Sequence, residues 1–352
     1  MPLYLQRHVH FAVKFTKKVL AKPISIVYNI HNLAFEGGKQ VDLEILNRMI
    51  DLAAEDAAAE ATAAYIADHL RSYLKKGERV LICFSSEKKG GLGWLMEQAV
   101  IQCGGIPVVW GPDYRWKTVL QQAFYSHASI IIGPPLIVLG LCKLKKHIGL
   151  PLYIRHAVTA GYPCLDWMVE GIENGLDCTT SGCFGFGETG IIAGYSCDDS
   201  LGIHLRPDTY GVELRDRQGN IVPEGEMGEI FLYMKEDPNL RIPLGEQARL
   251  VAEKCSCGRE TDRLVDFFPG EETDNDIADL GQQLHSWTSV LDCRIRRGEY
   301  GLELELVVFA GEKLPKLPSV AKLIVRPWDS KHDTPFLYMP TVKNKNFPWE
   351  NH

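Results

Sequence analysis

No run of apolar residues in this chain reaches the roughly 18 that suggest a membrane span. The longest candidate, Ala128 to Cys142, is interrupted by Gly133-Pro134-Pro135. The first twenty residues spread their charges and hold no continuous apolar stretch, so no signal peptide is expected. An excess of basic charge is also missing. The net charge of -7 argues against a nucleic-acid partner held by bulk electrostatics. The ten cysteines are scattered, apart from Cys255 and Cys257, and do not form the framework of a small disulfide-stapled scaffold. A core of 352 residues needs no such staples. There is no internal repeat and no low-complexity tract. These absences leave a soluble, cytoplasmic protein with reduced thiols as the expectation, with neither a membrane nor a nucleic acid as partner.

The chain is 45% hydrophobic and 24% charged, an ordinary globular composition for one large domain or two. Short β-branched runs alternate with helical patterns through the first half. Strands are expected at 24–30, 79–84, 106–110, 128–132 and 153–160. Helices are expected over 42–74, with Asp42 as N-cap, and over 94–103, 116–126, 142–147 and 166–174. This alternation predicts α/β layers around a largely parallel sheet. After His204 the pattern changes to apolar–polar alternation, with antiparallel strands at 210–215 and 228–234 around the turn Arg217 to Asn220. The acidic, Pro- and Gly-containing segment Phe268 to Asp276 is the best domain boundary. Beyond it come a helix over 277–291 and strands at 303–310 and 321–326. The expected fold class is therefore α/β: a large N-terminal domain of layered sheets and helices, 1–267, and a small α+β C-terminal domain, 268–352.

The chemistry concentrates between Thr180 and His204. Phe184-Gly185-Phe186-Gly187-Glu188 is a Gly-rich turn with one carboxylate, of the kind that binds Mg²⁺ shared with phosphates. Taken alone, the turn is a weak signal. Cys197 and His204 follow, and Cys255-Ser256-Cys257 lies downstream. Together Cys197, His204, Cys255 and Cys257 make a Cys₃His set, a common structural zinc composition, with Cys178 and Cys183 as nearby alternatives. Cys164 and His156 flank a turn, but no third group orients them as a nucleophile pair, and core packing is the better reading.

Several segments resemble, in order, the adenylate-forming ligases, and within them the phenylacetate–CoA ligase-like group. Gly90-Gly91-Leu92-Gly93 followed by Gly104-Gly105-Ile106-Pro107-Val108 resembles that group's GGLG-helix-GAxxIPV run. Ala160-Gly161-Tyr162-Pro163 sits where the group has its adenine-contacting turn, and Phe184 to Glu188 matches Tyr-Gly-x-Ser/Thr-Glu. Gly202-Ile203-His204, Gly219 to Ile230, and Cys255-Ser256-Cys257-Gly258-Arg259 match further motifs of the group. The resemblance implies attack of a carboxylate on the α-phosphate of ATP, giving an acyl-adenylate that passes to CoA, an amine or a carrier protein. It implies that Phe184 stacks on adenine beside Gly161, Tyr162 and Gly185. It implies that Glu188 holds Mg²⁺ and that Glu246, in the run Arg241 to Glu246, meets the ribose hydroxyls. Lys345 or Lys343 would engage the adenylate. It also implies that the Cys₃His set holds a structural zinc. The acid would lie against 90–94, 133–135 and 160–163, in an apolar pocket suited to an aryl or small acyl group.

The chain departs from the group at three places. The Ser/Thr/Gly-rich phosphate loop is reduced to Gly37-Gly38-Lys39, a glutamate replaces the ribose-binding aspartate at 246, and Gly187 and Tyr162 replace a hydroxyl residue and a glutamate. Two readings follow: an ATP- and Mg²⁺-dependent ligase of an aryl or related acid, or a degenerate homologue that binds without adenylating. A homodimer is one expected assembly.

Overall fold

The computed structural model describes residues 42–111, 114–162, 164–186, 189–196, 202–269, 275–317, 319–329 and 333–336. The expectations at 24–30 and Gly37 to Lys39, and at Glu188, Cys197, Lys343 and Lys345, lie outside the described residues.

Four βα units build the first half: β1 (Arg79–Ile82), α3 (Leu92–Gln102), β2 (Ile106–Val109), α4 (Trp116–Tyr125), β3 (Ile130–Gly133), α5 (Pro135–Ile148), β4 (His156–Thr159) and α6 (Asp166–Leu176), leading into β5 (Thr179–Phe186). These strands pair in parallel in the order β2-β1-β3-β4-β5. Strand alternation sends Leu81, Ile131 and Ala157 to a core under α4, α5 and α6. It sends Val80, Ile82, Ile130, Ile132 and Val158 to the opposite core, under α3 and the preceding helix α2 (Asp56–Leu70). Burial on both faces explains why β1 and β3 read as nearly unbroken apolar runs.

From β5 onward the same sheet turns antiparallel. β6 (Ile191–Ser196), β7 (Ile203–Leu205), β8 (Tyr210–Arg215), β9 (Met227–Met234), β10 (Arg241–Val251) and β11 (Arg263–Pro269) complete an eleven-stranded sheet ordered β2-β1-β3-β4-β5-β6-β7-β11-β10-β9-β8. Helix α1 (Leu43–Ala53) covers this half, burying Leu46, Met49 and Ile50 against Ile230, Leu232 and Ile242. Asp42 caps α1, its carboxylate accepting from the Glu44 and Ile45 amides.

The single helix expected over 42–74 is two helices. The alanine-rich sequence favours continuation, and no Gly or Pro marks the break. The break is tertiary: α1 packs on the antiparallel half and α2 on the parallel half, and the loop at Gly90 presses against Ala54, so that a Cβ on Gly90 would lie 2.7 Å from the Ala54 Cα.

The last elements are α7 (Asn275–Ser286) and a three-stranded sheet of β12 (Val290–Gly298), β13 (Gly301–Val308) and β14 (Lys322–Pro327). The helix expected over 277–291 ends at Ser286, and Val290 already opens β12. The apolar residues at 290, 293 and 295 face α7, and this strand period was hidden because it follows the helix with only three residues between. Leu291, Val307 and Phe309 join the core under α4, α5 and α6, and Lys143 of α5 donates from Nζ to the Val290 carbonyl at 2.7 Å. Among the described residues no helix is long and apolar enough to cross a membrane.

Candidate functional site

Ligands of open α/β sheets sit beyond the carboxyl ends of the parallel strands. Here those ends are packed with glycine. Gly161, just past β4, has φ +81°, and a Cβ there would come within 3.1 Å of the Phe84 ring. Gly93, in the first turn of α3, and Gly111, beyond β2, both lie against the Phe84–Ser85 backbone. The turn joining β5 to β6 meets the same place, since a Cβ on Gly190 would stand 1.9 Å from the Gly90 carbonyl oxygen. The structure thus brings together the 90–93 loop, Gly161 with the half-buried Tyr162, and the strand end carrying Phe184 and Gly185. Gly185 stands at a register shift between β5 and β6, where a Cβ would strike the Ile191 carbonyl oxygen at 1.9 Å.

The Phe184 ring lies 5.9 Å, centroid to centroid, from Phe267 of β11. Next to Phe267, the β10–β11 pairing sets Gln247 opposite Phe268 and Glu246 opposite Pro269. Phe184 therefore lies beside the last residues of β11, whose end pairs with the middle of β10, where Glu246 stands. Burial pushes the half-buried Glu246 carboxyl up to about 7. Arg241 opens β10, five residues before Glu246, and forms an ion pair with Glu213 at 2.8 Å, which also pairs with Arg215 at 2.6 Å.

Three of the four sulfur and imidazole residues converge at the other edge of this region. A ring nitrogen of His204 and the sulfurs of Cys255 and Cys257 all lie within 4.8 Å of one another, and His204 Nε2 is 3.3 Å from Cys257 Sγ. His204 is the middle residue of β7, set opposite Tyr195 of β6 and Arg263 of β11. The thiols come from the loop between β10 and β11, a tight turn closed by the Gly258 amide donating to the Cys255 carbonyl at 2.9 Å, with Gly258 at φ +88°. His204 and Cys255 are buried, and Cys257 is exposed. Burial, then the nearby Arg259 and Arg263 cations, hold the His204 pKa below its ordinary value, which keeps the imidazole in the neutral form that ligates metals. Such a cluster is spaced so that one ion with bonds of roughly 2.0 to 2.3 Å can bridge it. Cys178 and Cys183 lie outside it. Burial pushes both thiols up, to about 11 and about 12.

Sequence reasoning missed a buried polar row that continues from this cluster beneath α2. The Arg259 guanidinium sits over the Tyr195 ring at 4.8 Å, and Tyr195 stacks on His69 at 4.1 Å. His69 Nε2 and His156 Nε2 meet the Ser181 hydroxyl at 3.1 and 3.0 Å, while His156 Nδ1 meets Thr179 at 2.7 Å. Burial, then Arg259 and His156, lower the His69 pKa to about 3. Only the spacing of Thr179 and Ser181 on one strand face hinted at this row. His156 is thus a satisfied core imidazole, and burial pushes the Cys164 thiol up to about 11.

No protein-family model matches the chain, and no curated protein sequence does either. Solved structures do. A 2-hydroxyisobutyryl-CoA ligase in the postadenylation state with R3-HIB-AMP matches with a TM-score of 0.63 and 14% identity, over 82% of this chain and 70% of that one. The same ligase with 2-HIB-AMP and CoA in the thioesterification state matches with a TM-score of 0.54 and 16% identity, over 72% of this chain and 58% of that one. A benzoate CoA ligase from Burkholderia xenovorans LB400 matches with a TM-score of 0.50 and 13% identity, over 80% and 64%. At these identities the likeness is one of fold: the chain folds as these acyl-CoA ligases do.

Proposed function

We propose that the protein activates a small carboxylic acid with ATP. A carboxylate oxygen attacks the α-phosphorus, the bond from that phosphorus to the bridging oxygen breaks, and pyrophosphate leaves, giving an acyl-adenylate. The reading is carried by one observation: within this fold, the 90–93 loop, Gly161 and the Phe184 strand end converge beyond the carboxyl ends of the parallel strands. In this reading the glycines let backbone approach the nucleotide, and Phe184 offers adenine an aromatic face. Glu246 accepts from, or when protonated donates to, the ribose hydroxyls. Glu188 would hold Mg²⁺, whose charge offsets that of the phosphates, and Lys345 or Lys343 would meet the adenylate. In this reading the acid lies against 90–94, 133–135 and 160–163, where Gly161 sits on the Phe84 ring; it is an aryl or small acyl group, with CoA as acceptor. The test is pyrophosphate release from ATP·Mg²⁺ across a panel of aryl and short-chain acids. Release that depends on the acid and is lost in Glu188→Ala is expected, and its absence with every acid would sink the reading.

The lost hydroxyls around Gly37 to Lys39 and at Gly187 favour a second reading, a subunit that binds nucleotide or acid without adenylating. Binding of AMP without pyrophosphate release would select it.

We further propose that Cys197, His204, Cys255 and Cys257 hold a zinc ion. Sulfur with imidazole is the donor set zinc takes in structural sites, and the three described members already stand close enough to share an ion. The ion would tie β7 to the loop between β10 and β11. Four protein ligands leave no position for substrate.

A further inference from the structure

We infer that Thr261 is the positioning residue of this metal cluster: its hydroxyl fixes the His204 ring so that Nε2 faces the two thiols. The inference rests on the metal reading above.

His204 Nδ1 lies 3.0 Å from Thr261 Oγ1, while Nε2 lies 3.3 Å from Cys257 Sγ. A neutral imidazole carries one N–H and one lone pair. With Nδ1–H donating to Thr261, whose backbone carbonyl also accepts a hydrogen bond from the ring beside the hydroxyl, the lone pair is left on Nε2, the nitrogen that meets Cys257. The ring is buried, 2% exposed, so turning it over would place a carbon against the thiols and leave Nδ1 without its acceptor. A buried polar group stripped of its partner is destabilising. The backbone supports the same arrangement from both sides. His204 is held in β7 between Tyr195 and Arg263, and the next residue, Leu205, donates to the Asp262 carbonyl at 2.8 Å. Thr261 is thus anchored beside His204 by the pairing that begins β11, only four residues after Cys257. Closing the cysteine loop and orienting the imidazole become one event. Outer partners of metal-bound histidines act in this way, and losing one typically weakens metal affinity about 10- to 100-fold.

The test compares wild type, Thr261→Val, which keeps the shape without the hydroxyl, and Thr261→Ser, which keeps the hydroxyl. The zinc-loaded full chain is titrated with a chromophoric chelator, and the visible spectrum of the Co²⁺-substituted protein is recorded. Circular dichroism verifies folding. Expected is zinc held about 10- to 100-fold more weakly by Thr261→Val, with shifted Co²⁺ bands, and near wild-type behaviour of Thr261→Ser. Should Thr261→Val not fold, Thr261→Ala replaces it: weaker zinc retention there, with rescue in Thr261→Ser, supports the assignment, and unchanged retention overturns it. Equal zinc affinity and an unchanged Co²⁺ spectrum in Thr261→Val would overturn the Thr261 assignment alone. A wild-type chain that takes up no metal would overturn the metal reading, and this inference with it.

Discussion

The two ends of the stretch from Thr180 to His204 use sequence in opposite ways. At the His204 end, side chains close on one another: an imidazole, two thiols and a threonine hydroxyl meet within hydrogen-bonding or ligand distance, walled by Arg259 and Arg263. At the Phe184 end, side chains are withheld. Gly90, Gly93, Gly161, Gly185 and Gly190 bring backbones together from separate segments. The first arrangement satisfies itself and suits a structural ion. The second sets backbone against backbone, with Phe184 beside Phe267 on its flank. The small sheet shows a third pattern, with Asp292 accepting from the Phe336 and Cys293 amides at 2.7 and 2.9 Å inside a buried seam.

This contrast can be broken experimentally. The largest effect is expected at the metal end. Cys255→Ser, or chelation of the wild type, should lower stability by several kcal/mol, because metal binding free energy is folding free energy. Denaturant unfolding measures this, and AMP should still bind the fraction that remains folded. Ser181→Ala comes next. His69 Nδ1 already has no partner, so losing the hydroxyl leaves neither ring nitrogen of His69 paired among the described residues. A loss of about 1–3 kcal/mol is expected in the same assay. Gly161→Ala should follow at about 1–2 kcal/mol, because its φ of +81° disfavours a side chain and the new Cβ meets Phe84. Unlike the first two, it should weaken AMP binding and leave zinc content unchanged. The smallest effect is the pH dependence of Glu246. Its carboxyl rises from 4.5 to about 7 in the fold, so the folded state holds its proton more tightly than the unfolded chain. Stability from this group is present below pH 4.5 and lost as pH rises through about 7. Glu246→Gln should therefore remove part of the decline in stability between these values, as read by melting temperature at several pH values.

Legibility followed the same division. The parallel half was readable because β1 and β3, buried on both faces, are nearly unbroken apolar runs, and the hairpin of β8 and β9 because alternation and the Arg217 to Asn220 turn coincide. The break between α1 and α2 was not readable. Alanine-rich propensity continues through it, and only the loop at Gly90, distant in sequence, interrupts the helix. The Cys255–Cys257 spacing is weak by itself; resemblance to the ligase group's motifs pointed to these thiols and to His204, which the structure brings within 4.8 Å of one another. Nothing pointed to Thr261, since a threonine acquires its role only when β11 lies beside β7. The row from Arg259 to His156 was hidden for the same reason: its members come from α2, β4, β5, β6 and a distant loop, and only Thr179 and Ser181 share a local spacing. Arg241 shows the converse, a motif position that the fold engages in an ion pair with Glu213.

The proposed function requires the glycine-lined end to receive an adenine nucleotide. Calorimetric titration of the purified chain with AMP and with ATP·Mg²⁺, beside Phe184→Ala, tests it directly. Saturable binding by wild type, weakened about tenfold or more in Phe184→Ala at unchanged zinc content, is the predicted result, since losing one stacked base face costs on the order of 1–3 kcal/mol. No heat from either nucleotide at millimolar concentration, with the protein folded and its metal in place, would contradict it.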